Sequence, residues 1–125
     1  MLQSDDSQLA ANKRLVYDFW REVFEGGHLE LADKYLTESY LQHNPNVPSG
    51  RQSFVEFFSQ FTTAKPIKDK VEMPLVSIVA EKDMVILTFV QEVKDPEGDY
   101  TTTWFDMFCI EDGKIAEHWD SARKM

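Results

Sequence analysis

Cysteine is nearly absent from this chain: Cys109 stands alone among 125 residues. A single thiol excludes an intrachain disulfide and a cysteine-based zinc site. Between Phe108 and Ile110 it reads as a small hydrophobe packed in a strand. Basic residues are also scarce, 13 Lys plus Arg against 22 Asp plus Glu, for a formal net charge of −9. That balance argues against nucleic acid or an anionic membrane as the main partner, since both need cationic contacts. No stretch approaches the roughly 18 apolar residues of a membrane span. Met1 to Asp6 lacks the basic and apolar regions of a signal peptide. The chain therefore reads as cytoplasmic. It has no repeat, low-complexity tract or linker, so residues 1–125 are expected to form one domain, with disorder confined to 1–8 if present.

Aromatic residues are plentiful, and ten of the sixteen lie before residue 62. Leu9, Val16, Phe19, Trp20, Val23 and Phe24 recur at helical steps. Ser4 or Ser7 can cap this helix, and Gly26-Gly27 ends it. A short second helix carries Leu31, Ala32, Tyr35 and Leu36, and a third carries Phe54, Phe57, Phe58 and Phe61. From Val71 onward the period shortens. Val71–Ala80, Met84–Lys94, Tyr100–Ile110 and Lys114–Ala122 are strand-like, separated by turn-forming segments. Helices followed by an antiparallel meander give an α+β fold. Three aromatic helix faces against a curved sheet can enclose a pocket.

Few polar residues look misplaced. His43 precedes Asn44-Pro45, Asp106 interrupts an apolar strand, and His118 and Asp120 flank Trp119 on the last strand. A mid-strand Asp is disfavoured by propensity and desolvation, so Asp106 needs a partner or solvent. The last turn decides which of these residues meet. A three-residue loop Glu111-Asp112-Gly113 pairs Asp106 with His118 and Trp104 with Asp120, all on one face. It leaves Phe105, Met107, Cys109, Ile115, Glu117 and Trp119 on the other. A two-residue Asp112-Gly113 loop would instead pair Asp106 with Trp119 and turn His118 away. The longer loop is preferred because Gly fits its left-handed third position. Simpler structural roles exist for each: an exposed His118–Asp120 pair, Asp106 as an internal acceptor, His43 as a turn cap.

The segment Tyr40-Leu41-Gln42-His43-Asn44-Pro45, followed by Gly50-Arg51, resembles the SnoaL-like branch of the nuclear transport factor 2-like superfamily. So does the ending from Phe105-Asp106 through Asp112-Gly113-Lys114 to Glu117-His118-Trp119-Asp120. The resemblance runs from about Leu9 to Ser121. It implies a cone-shaped fold, three helices on a curved, mostly antiparallel sheet enclosing a pocket, and frequent sheet-to-sheet homodimers. It also implies polyketide cyclases that perform aldol condensation without cofactor or metal, and related ketosteroid isomerases. Asp120 occupies the place of the cyclases' acid/base Asp. Asp106 stands where those enzymes typically have His.

These readings lead to an expected cofactor-independent enzyme acting by acid/base chemistry on a small hydrophobic carbonyl compound. Asp120 would remove a proton, protonated His118 or His43 would donate to the developing oxygen, and Asp106 would tune a His. Trp20, Tyr40, Asn44, Phe58, Trp104 and Phe108 are the expected pocket lining. A non-catalytic module binding a small apolar ligand would carry the same lining. A metal site of His43, His118 and a carboxylate is disfavoured, because no supporting ligand spacing is present.

Overall fold

The computed structural model describes residues 1–125. Helix α1 spans Ser7–Phe19, and its cap is Asp6, whose carboxylate accepts from the backbone N–H groups of Gln8 and Leu9. The expected serine caps give way because the acidic oxygen also answers the positive end of the helix dipole. The helix does not run on unchanged to the glycines. It widens into a π-helical turn, Trp20–Glu25, in which Gly26 N–H reaches back to the Arg21 carbonyl at 3.0 Å. A 3₁₀ turn, Leu29–Leu31, leads into the short helix α2, Ala32–Tyr35. Helix α3 covers Arg51–Phe58.

Five strands form the sheet: β1 Leu36–Gln42, β2 Leu75–Glu81, β3 Met84–Val93, β4 Tyr100–Glu111 and β5 Lys114–Asp120. The last four fall on the expected segments, whereas Leu36, expected in the second helix, opens β1. The first meander strand starts at Leu75 rather than Val71. The sheet order is β1-β5-β4-β3-β2, with β1 parallel to β5 and every other pair antiparallel. The result is an α+β domain, three helices against a curved, open, mostly antiparallel sheet. Phe19 anchors the contact between layers, its ring meeting those of Tyr35, Phe54 and Phe108 at centroid distances of 6.0, 6.0 and 6.2 Å. Offset and edge-on aromatic contacts of this kind add to the burial they accompany.

The β4–β5 hairpin departs from the expected register. Its loop is the two-residue one: Glu111 pairs with Lys114, while Asp112 and Gly113 both take positive φ, 50° and 75°. This is the mirror-image turn that suits the twist of a hairpin. One step later Ile110 pairs with Ile115 but Cys109 pairs with Glu117, so Ala116 is an extra residue on β5. That bulge restores parity. Asp106 lies opposite Asp120 and Phe108 opposite His118, rather than Asp106 opposite His118 or Trp104 opposite Asp120. Asp106, His118 and Asp120 still share the inner face. Ile115, expected outward, is fully buried because it precedes the bulge.

Candidate functional site

Between the helices and the concave face of the sheet lies a cavity of about 390 Å³. Twenty residues line it, thirteen of them hydrophobic. Trp20, Tyr40, Asn44, Phe58, Trp104 and Phe108 are among these, as are Asp106, His118 and Asp120. Trp20, the first residue of the π-helical turn, lines this wall, stacked on Phe89 at 4.9 Å and tilted against Phe24 at 4.3 Å between ring centroids. Widened helical turns of this kind recur at functional sites.

His43 is not in the cavity. Strand alternation sends Tyr40, Gln42 and Asn44 inward, so Leu41 and His43 point to the outer face. There the His43 ring stacks on Trp119, 4.9 Å away and within 3° of parallel, and its Nε2 meets a Glu117 oxygen at 2.5 Å. The inward neighbour Gln42, which sequence reading passed over, takes the place next to His118. Its alternation with Tyr40 was the signal that could have found it.

At the polar end of the cavity, His118 Nε2 lies 2.8 Å from Asp106 Oδ1 and 4.0 Å from Asp120 Oδ2. His118 Nδ1 lies 2.6 Å from Gln42 Oε1. Asp120 accepts from the Asn44 side-chain amide at 2.8 Å and from the Ala122 N–H at 3.0 Å. Asp106 and His118 are buried, with 2% and 7% of their surface exposed, and Asp106 Oδ2 has no hydrogen-bond partner. Burial, the largest influence, raises the Asp106 pKa above the ordinary carboxyl range; His118 opposes this and the Asp120 charge adds to it.

Proton counting narrows what this cluster holds. Gln42 Oε1 accepts the Asn44 backbone N–H at 3.0 Å, which identifies that atom as oxygen. The His118 nitrogen facing it therefore carries hydrogen. The other nitrogen and Asp106 Oδ1 then share one proton: either imidazolium beside carboxylate, or neutral imidazole beside carboxylic acid. Asp120 stands at the edge of this pair. Two carboxylates in unlike surroundings, bracketing an imidazole, make an arrangement able to take a proton at one group and supply one at the other.

One ligand atom from each of Asp106, His118 and Asp120 falls within 4.8 Å of the others, a donor set a divalent cation could use. Both His118 nitrogens and both Asp120 oxygens already hold hydrogen bonds or close polar contacts within the protein. Only Asp106 Oδ2 is uncommitted. The metal set of His43, His118 and a carboxylate is not assembled, because His43 lies on the outer face against Trp119 and Glu117.

A family model for the SnoaL-like domain matches residues 16–118. A search of curated proteins gives no match. Among solved structures, a protein assigned as a SnoaL-like polyketide cyclase from Jannaschia sp. superposes with TM-score 0.65 at 14% identity, covering 95% of this chain and 90% of that one. A protein assigned as a polyketide cyclase from Acidithiobacillus ferrooxidans gives 0.62 at 20% identity, with coverage of 95% and 90%. An LEH-like epoxide hydrolase from M. tuberculosis gives 0.63 at 13% identity, with coverage of 90% and 83%.

Proposed function

We propose, from the premise that the chain belongs to the SnoaL-like domain family, that it is a cofactor-independent enzyme moving protons on a small hydrophobic carbonyl compound. The observation that carries this reading is the 2.8 Å approach of His118 Nε2 to Asp106 Oδ1, a contact that calls for a proton between them, with Asp120 4.0 Å from the imidazole in an apolar cavity. Asp120 removes a proton from the carbon next to the carbonyl. The C–H electrons move into the C–C bond, and the carbonyl π pair moves to oxygen. The Asp106–His118 pair supplies the positive charge or proton that steadies the resulting enolate. From that enolate, aldol condensation, cyclisation or isomerisation differ only in the electrophile that is bound. Positioned acid/base groups of this kind contribute about 10²–10⁴-fold each.

Asp120→Asn tests the assignment on a panel of hydrophobic ketones, with binding and turnover measured together. Turnover is expected to fall by about 10²–10⁴-fold with binding retained. Unchanged turnover removes Asp120 as the base. No wild-type turnover, with an unmodified ligand recovered in native mass spectrometry, would point to the binding module instead.

We further propose that the protein is a homodimer. The outer face of the sheet presents Val79, Ile86, Met107 and Trp119 in one row across four strands. Phe105 and Leu41 beside it are each 50% exposed. A second copy of this face is the cover suited to a twofold assembly.

A further inference from the structure

The two ends of a glutamine amide are told apart by their neighbours. For Gln42 the Asn44 N–H identifies Oε1, and Nε2 is thereby left to donate to the Tyr40 hydroxyl oxygen at 3.1 Å. A hydroxyl that accepts at its oxygen directs its own proton elsewhere. No protein atom accepts that proton: the bond from Gln42 is the one hydrogen bond the hydroxyl makes. Tyr40 is 2% exposed and lines the cavity. Burial, with the charges of Asp106 and Asp120 adding to it, raises the phenol's pKa and keeps it protonated.

We propose that Gln42 is a positioning residue that sets two protons at once: it holds hydrogen on His118 Nδ1, and it frees the Tyr40 O–H to donate to a carbonyl or enolate oxygen bound in the cavity. The first effect points the bare or charged Nε2 edge at Asp106. The second makes Tyr40 a selector for ligands carrying a hydrogen-bond acceptor. A ketone satisfies the hydroxyl, whereas a hydrocarbon of the same shape leaves it buried and unpaired, which is costly. This inference rests on the acid/base reading for its catalytic meaning, but proton placement and ligand selection are measurable without turnover.

The probes are 2-tetralone and its hydrocarbon counterpart tetralin. Wild-type protein is expected to show hydrogen on His118 Nδ1 in ¹⁵N NMR spectra of the imidazole. It should also prefer the ketone. Tyr40→Phe should cut the ketone-to-tetralin affinity ratio roughly tenfold, the scale of one hydrogen bond. Gln42→Glu separates the two effects. Its carboxylate still accepts from His118 and Asn44, so the tautomer is kept, but the Tyr40 proton turns to the new oxygen and ketone preference falls. Gln42→Leu removes the acceptor and should allow the neutral ring to move its hydrogen to Nε2. A wild-type ring protonated only on Nε2, or an unchanged affinity ratio in Tyr40→Phe, overturns the inference. Both outcomes can occur while Asp120→Asn still abolishes turnover, so failure here is distinct from failure of the acid/base reading. Conversely, an idle Asp120 beside the expected tautomer and ratio leaves the proton placement intact.

Discussion

Asp106 is kept at the centre of the sheet against its own electrostatic preference. Burial raises its pKa, so the fold favours the protonated form. That contribution is complete below the unfolded carboxyl pKa of about 3.9, and is lost as pH rises through the higher folded value. Asp106→Asn carries no such loss, and its amide can donate to His118 Nε2. Denaturation midpoints of variant and wild type, compared at about pH 4 and pH 8, should shift in the variant's favour at the higher pH. A difference that stays constant or reverses would show that Asp106 is not desolvated as described. At this scale the sequence was partly legible. A lone Asp in an apolar strand marks itself as exceptional, and Asp106, His118 and Asp120 all enter the cavity. His43 misled because histidine suggests chemistry more readily than glutamine does. The two-residue alternation from Tyr40 was the better guide, and it leads to Gln42.

The β4–β5 hairpin is the element on which the site depends. Without the extra residue at Ala116, His118 and Asp120 would turn to the outer face, since one residue of slip exchanges the two sides of a strand. The turn that starts this hairpin needs Gly113 at φ 75°, where an added Cβ would meet nothing within 4 Å. Gly113→Ala should therefore cost only the backbone penalty, about 1 kcal/mol. Gly27 offers the contrast. Its φ is 72° and its Cβ would sit 2.5 Å from the Thr63 carbonyl oxygen. Gly27→Ala adds a steric clash to the same penalty and should destabilise clearly more than Gly113→Ala in urea melts. Equal losses would mean that the 62–63 segment yields freely. The meander and the three helices were readable from period and punctuation. The bulge was not, because a small residue such as Ala116 leaves no hydrophobic signature when it is inserted. The π-helical turn was equally hidden, as Trp20 and Phe24 keep four-residue spacing in either helix.

For the whole molecule, net charge and the apolar sheet face act in opposite directions. Two chains of −9 repel, whereas the row from Val79 to Trp119 gains by leaving water. Light scattering at micromolar concentration should give a dimer, and moderate added salt should tighten it by screening the repulsion. Phe105→Glu, at the centre of the exposed face, should give a folded monomer with an unchanged far-ultraviolet spectrum. A wild-type monomer under these conditions would remove the dimer and leave the outer face unexplained.

Deuterium exchange bears most directly on the acid/base account, because it reports proton removal without requiring the natural electrophile. The α-hydrogens of 2-tetralone, followed by ¹H NMR in D₂O, should exchange faster with wild-type protein than in buffer alone. Asp120→Asn should lose about 10²–10⁴-fold of that enhancement, while His43→Ala, altered outside the cavity, should keep it. Exchange by Asp120→Asn at the wild-type rate, with the ketone bound, would contradict the account.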